Sequence, residues 1–171
     1  CWKQASDVAL NEISEAELVA VCDSDINKAK KIAEKCSGVR WYSTYDEMLQ
    51  NEDIDIVNIL TPSGLHPLHT IDIVKKYQKH IVCEKPMALK LEDADEMIQI
   101  CDEFGVRLFV VKQNRYNLPV QKVREALESG KFGKMVLGTV RVRWARHQAY
   151  YDQDSWRGTW GLDGGVISNQ T

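Results

Sequence analysis

Four short stretches carry residues able to work on a bound small molecule, and each follows an apolar run. Asp23 closes Leu18-Val19-Ala20-Val21-Cys22. A carboxylate there can accept both hydroxyls of an adenosine ribose and repels a phosphate on the 2′ position. Ser24 and Asp25 follow with no adjacent arginine to neutralise such a phosphate, which favours NAD over NADP as the ligand. Thr61-Pro62-Ser63-Gly64-Leu65-His66-Pro67 is a rigid loop running into a helix amino terminus, a natural seat for a ribose or a phosphate-linked group. Within it His66 reads equally well as a helix-capping residue. Glu84-Lys85-Pro86 ends a third run with two opposed charges. The proline holds Lys85 extended and removes one backbone donor, which sends the ammonium away from the sheet edge. A lysine so placed can hydrogen-bond a substrate hydroxyl and help take its proton. Lys112-Gln113-Asn114-Arg115-Tyr116 adds donors to the same rim. Plainer readings stand beside these: a turn cap for Asp23, a surface ion pair for Glu84 and Lys85, and an inter-domain tie for Arg115.

These residues meet only if the runs are neighbouring strands. The pattern supports this. Lys3 to Ile13 has helical spacing, Leu18 to Cys22 is a doubly buried strand, and Asp25 caps a helix over Ile26 to Lys35 that Gly38 stops. The unit then repeats: a short helix from Ser43 or Thr44 through Leu49, a strand over Ile54 to Leu60, and a helix over Pro67 to Tyr77 with proline in its first turn. A strand over His80 to Cys83, an amphipathic helix over Leu91 to Phe104 stopped by Gly105, a strand over Val106 to Val111 and a helix near Pro119 to Ser129 complete it. Such alternation predicts βαβ units in a doubly wound α/β domain with a parallel sheet. Ligands of that architecture bind at the carboxyl ends of the strands, where all four stretches fall.

Past Gly133 the texture changes. Met135 to Arg146 mostly alternates, with Val136, Val140, Val142 and Trp144 opposite Thr139, Arg141 and Arg143, predicting a strand with one wet face. Gln148 to Gly161 is aromatic and polar, and Gly164-Gly165 opens a helix.

Composition narrows the function classes. The 171 residues carry 22 Lys+Arg against 25 Asp+Glu, a net charge of −3, with 44% hydrophobic residues. Disorder is excluded by the apolar content, and a grip on nucleic acid or an anionic membrane by the absence of a basic field. No run is apolar enough to span a bilayer, which takes about 20 residues. Cys1, Cys22, Cys36, Cys83 and Cys101 show no metal-ligand spacing; Cys22 and Cys83, in apolar runs, are expected to be buried free thiols of a reducing compartment, the cytoplasm. The first residue is Cys1 and the chain stops as a helix begins, so it reads as a fragment.

Asp23 after an early strand, Thr61-Pro62-Ser63 with His66, Glu84-Lys85-Pro86, Asn114-Arg115-Tyr116 and Trp156-Arg157-Gly158 before Asp163-Gly164-Gly165 resemble the Gfo/Idh/MocA family of nicotinamide-dependent sugar oxidoreductases. The Glu-Lys-Pro step is the most specific mark. The resemblance implies a Rossmann domain over residues 1–117, and over 118–171 the beginning of a second α/β domain whose open antiparallel sheet forms a dimer or tetramer. It also implies roles. Asp23 holds the adenosine ribose; Thr61, Pro62, Ser63 and His66 line the cofactor near its diphosphate and nicotinamide ribose. Glu84 and Lys85 flank the nicotinamide, and Lys85 also touches the hydroxyl being oxidised. Arg115 lies at the domain junction, and Trp156 with Arg157 approaches the nicotinamide from the second domain.

Two departures stand out. The family's glycine-rich loop belongs around Cys1 to Gln4, yet no glycine precedes Gly38. The family's catalytic histidine belongs a few residues beyond Thr171. The expected function is NAD-dependent oxidation of a secondary hydroxyl of a sugar or sugar nucleotide, most similar to the branch acting on UDP-linked amino-sugar uronates. The alternatives are an inositol, a free aldose or a biliverdin-like substrate, or a non-catalytic dinucleotide-binding scaffold.

Overall fold

The computed structural model describes residues 14–170; the helix expected over Lys3 to Ile13 and the glycine loop expected around Cys1 to Gln4 lie outside them. Five strands alternate with helices: β1 (Ala20–Cys22), α1 (Ile26–Ala33), β2 (Arg40–Tyr42), α2 (Tyr45–Asn51), β3 (Ile56–Ile59), α3 (His66–Tyr77), β4 (His80–Cys83), α4 (Leu91–Glu103) and β5 (Leu108–Val110). Two short 3-10 turns, Ser63–Leu65 and Gln113–Tyr116, sit at strand ends. Beyond them lie α5 (Leu118–Glu128), α6 (Gln148–Tyr151) and α7 (Gly165–Gln170).

Every strand pair is parallel. β1 pairs with β2, while β4 lies between β3 and β5 with Ile59 opposite Cys83 and Cys83 opposite Val110. Among the described residues no ladder joins β1 to β3. The helix boundaries follow local chemistry. The Asp25 carboxylate accepts from the Asn27 amide at 3.1 Å and the Thr44 hydroxyl from the Glu47 amide at 3.3 Å, each supplying an acceptor for a backbone donor the helix leaves unpaired. Gln78 ends α3 in the left-handed region.

The core lies between the β3-β4-β5 sheet and helices α3 and α4. Val74, Ile81, Cys83 and Met97 are fully buried there. Burying a side chain the size of Ile81 contributes about 1.5–3 kcal/mol, enough that this small set dominates local stability.

Three expectations are corrected. Cys22 is exposed, because it ends β1 beyond the cover of the neighbouring helices, whereas Cys36, Cys83 and Cys101 are buried. Residues 135–146 form no strand among the described residues; Val136 and Val140 are 91% and 90% exposed. Alternation makes a strand only where a neighbour completes the ladder, and here none does. β2 was not expected, since Arg-Trp-Tyr offers no apolar run: it is an edge strand with Trp41 in solvent.

Candidate active site

The parallel register brings three chain crossings side by side at the carboxyl edge of β3, β4 and β5. The Thr61 loop leaves β3, Glu84-Lys85-Pro86 leaves β4, and Lys112 to Tyr116 leaves β5. The Glu84 amide donates to the Ile59 carbonyl at 3.0 Å and the Val111 amide to Cys83 at 2.9 Å, so the ladder continues into the loops.

The second part of the chain covers this edge. The Gly64 amide donates to the Leu162 carbonyl at 3.0 Å, and a Cβ on Gly64 would sit 2.2 Å from the Gly161 carbonyl oxygen. Glycine is therefore required for two backbones to touch. Gly164 adopts φ +78°, and a Cβ there would meet Leu89 at 2.4 Å. The turn over residues 158–164 is thereby seated on both the Thr61 loop and the chain after Pro86.

That seat places a polar relay against Lys85. The Lys85 ammonium donates to the Asn169 backbone carbonyl and, at 3.2 Å, to the Asn169 side-chain oxygen. The Asn169 amide donates to the Asp163 carboxylate, whose other oxygen accepts from the Gly158 amide at 2.9 Å. Asp163 and Asn169 are both buried. Asn169 lies in the last turn of α7, where a helix leaves carbonyls without intrahelical partners, so an ammonium is a fitting donor. An ammonium has three N–H donors, and this relay uses two. Sequence reasoning singled out Asp163-Gly164-Gly165 as a motif but missed Asn169. The signal present was the cluster Gly161, Gly164 and Gly165, which marks close backbone approach.

The Thr61 loop is rigid. Leu65 donates to the Pro62 carbonyl at 2.8 Å and Ser63 is buried. The Thr61 hydroxyl and His69 Nδ1 are 3.0 Å apart, and the His69 ring meets Tyr45 edge-on at 5.4 Å. Burial, and then the neighbouring His66, lower the His69 pKa. His66 itself is 1% exposed, with both ring nitrogens occupied by backbone carbonyls. It underlies the loop rather than lining its open side.

At the end of β1, Asp23 Oδ1 accepts from the Asp25 amide at 2.9 Å, which fixes the carboxylate and leaves its second oxygen for a ribose. Two basic side chains of this unit are engaged elsewhere: Arg40 pairs with the buried Glu52, and the Lys30 ammonium lies 4.6 Å over the Trp41 ring.

Other expected residues stand apart. Arg115 is exposed and borders a shallow depression with Val110, Lys112, Gln113 and Tyr116 that does not include Lys85. Arg157 is held within its own turn, its Nε 3.1 Å from Asp154 and its Nη1 donating to the Tyr150 hydroxyl at 2.8 Å, while its guanidinium stacks 4.9 Å from the Trp156 ring centre. Trp156 and Arg157 are thus brought to each other rather than to Lys85. They connect to it through the Gly158 amide and the relay.

Comparison with known proteins identifies the family. Residues 3–112 match the profile of the oxidoreductase family with an NAD-binding Rossmann fold, and residues 120–171 match the Gfo/Idh/MocA C-terminal domain. The chain belongs to the Gfo/Idh/MocA oxidoreductase family. It is 44% identical to the WlbA dehydrogenase of Bordetella pertussis, solved in complex with NADH and UDP-GlcNAcA, with a TM-score of 0.89 over 98% of this chain and 49% of that one. It is 32% identical to a D-glucoside 3-dehydrogenase of Escherichia coli over 129 residues, 75% of this chain and 36% of that protein. It is 30% identical to a myo-inositol 2-dehydrogenase of Thermotoga maritima over 125 residues, 73% of this chain and 37% of that protein. The chain therefore spans between a third and a half of the length of the relatives it matches.

The donor set fits NAD, the cofactor of the matched Rossmann domain. A fixed carboxylate at the end of β1 suits a ribose diol, and an ammonium with one spare donor at the end of β4 suits the reacting end. No group of three or more His, Cys, Asp or Glu side chains that could hold a metal occurs among the described residues. No helix among them is long and apolar enough to cross a membrane.

Proposed function

We propose that this protein is an NAD-dependent dehydrogenase that oxidises a secondary hydroxyl of a sugar nucleotide, with a UDP-linked amino-sugar uronate as the preferred substrate. The observation that carries this reading is the likeness to WlbA over 98% of the chain, spanning both of its parts. Bound along the strand edge, NAD supplies the hydride acceptor. Asp23 holds its adenosine ribose, Thr61, Pro62 and Ser63 line its middle, and Glu84 with Lys85 flanks the nicotinamide. Lys85, oriented by Asn169, gives its remaining N–H to the substrate oxygen. That contact stabilises the negative charge gathering on the oxygen as its proton leaves for the family's histidine. Arg115 lies at the junction of the two domains, which divide near residue 117, and Trp156 with Arg157 shapes the substrate side.

The exposed run Val136, Val140, Val142 and Trp144 supports assembly of copies through the second domain. Four free cysteines among the described residues suit a cytoplasmic enzyme.

A second reading, favoured by the glucoside and inositol dehydrogenases among the relatives, is oxidation of an uncharged sugar or polyol. The full-length protein, given NAD and either UDP-GlcNAcA, UDP-GlcNAc, methyl glucoside or myo-inositol, decides between them by NADH absorbance. Turnover with UDP-GlcNAcA in clear preference supports the proposal. Preference for methyl glucoside or myo-inositol supports the second reading, and NAD binding without turnover on any of them points to a scaffold.

A further inference from the structure

His66 is the first residue of α3 and bridges two of the loops described above. Its Nδ1 lies 2.8 Å from the Pro86 carbonyl oxygen and its Nε2 lies 2.8 Å from the Thr61 carbonyl oxygen. Both partners are pure acceptors. The ring therefore stands between the two loops, within hydrogen-bond distance of a backbone carbonyl on each. At 1% exposure, water does not provide the alternative partner that a surface histidine would have.

We propose that His66 is a positioning residue. It ties the Thr61 loop to the turn after β4 and thereby fixes the Lys85 ammonium relative to the substrate. Pro86 is the residue after Lys85, so a shift of its carbonyl moves the lysine backbone directly. Its burial beneath the loop keeps His66 from touching cofactor or substrate, so its effect on the reaction passes through Lys85. This inference rests on the role given to Lys85 above, and the test separates the two.

The test uses the full-length protein. His66→Phe keeps the ring volume and removes both ring nitrogens; it is expected to lower kcat by about 100-fold, the scale of a catalytic group misplaced by an ångström. NAD affinity is expected to stay within about threefold, because the change is not one of cofactor binding. His66→Gln, which retains an N–H donor, is expected to recover part of kcat. The double variant with Lys85→Ala is expected to be no slower than Lys85→Ala alone, since both changes remove one function. Equal losses in kcat and NAD affinity, or additive losses in the double variant, overturn the proposal. Where Lys85→Ala alone leaves kcat unchanged, the role of Lys85 fails and this proposal with it; where Lys85→Ala lowers kcat and His66→Phe does not, this proposal alone fails. Where His66→Phe does not fold, the same comparison of kcat with NAD affinity in His66→Gln decides it.

Discussion

The Lys85 ammonium is shared between the backbone carbonyl and, at 3.2 Å, the side-chain oxygen of Asn169, a residue 84 positions further along the chain. This contact joins the chain just after β4 to the second part of the protein, and Asn169 is itself held by Asp163. Asn169→Ala in the full-length enzyme should therefore lower kcat while sparing NAD affinity. A hydrogen bond to a charged group is worth about 1.5–3 kcal/mol, so the loss should be about 10- to 100-fold. Steady-state kinetics beside NAD titration checks this, and an unchanged kcat would remove Asn169 from the relay.

Gly64 is where two backbones touch, and Gly64→Ala should unseat the turn carrying Asp163. The added carbon would lie 2.2 Å from a backbone oxygen that has no flexible end to move. Overpacking of this kind costs about 1–3 kcal/mol. Gly138→Ala, with nothing within 4 Å of the added carbon, is the matched control and should leave Tm unchanged. Equal Tm values for the two variants would contradict the seating.

The contrast between these glycines shows what the sequence discloses. The βαβ order was legible because each unit announces itself locally: His80 to Cys83 is an apolar run and the observed strand, and Asp25 is a capping residue that caps. The positions of Asp23, Thr61 and Lys85 just after strands were legible because each follows an apolar run. The contact between Gly64 and Gly161 was not, because nothing in either neighbourhood specifies the other. Asn169 is likewise an unremarkable helix residue until the turn brings it to Lys85. The burial of His66 between two backbone carbonyls was not legible either, since burial depends on what packs over a residue. The alternation from Met135 to Arg146 is real, yet alternation describes a face and does not supply the neighbouring strand.

In the proposed function Asp23 sets cofactor choice by repelling a 2′-phosphate. Asp23→Ser combined with Ser24→Arg should shift the NADP to NAD preference by about tenfold or more, since removing a repulsion and adding a cation each act on that phosphate. The ratio of kcat/KM for the two cofactors reads this directly. An unchanged ratio would place the ribose elsewhere.

Between α2 and α3 a charged network should set the pH range of stability. Hydrogen bonding by Lys76 holds the Asp72 carboxyl below its ordinary value of 3.8, and Asp72 in turn raises the Lys76 pKa above 10.5. Burial, then the Asp72 hydrogen bond, pushes the Tyr45 hydroxyl from 10.0 up to about 12. The depressed carboxyl contributes stability above its ordinary pKa that is lost as pH falls through the folded value. The raised groups contribute stability below their ordinary pKa values that is lost as pH rises through the folded ones. Denaturant midpoints should therefore fall below about pH 4 and above about pH 10, and Lys76→Met should flatten both limbs. Identical pH profiles for the two proteins would show that the network carries no linkage.

The central claim is that Lys85 acts on the reacting hydroxyl rather than merely holding cofactor, and Lys85→Ala in the full-length protein tests it most directly. Turnover with NAD and UDP-GlcNAcA should fall by about 100-fold or more, as for loss of a group engaged in proton transfer, while the NAD dissociation constant changes by less than about threefold. Comparable losses in turnover and NAD affinity, or no loss in either, would contradict the account.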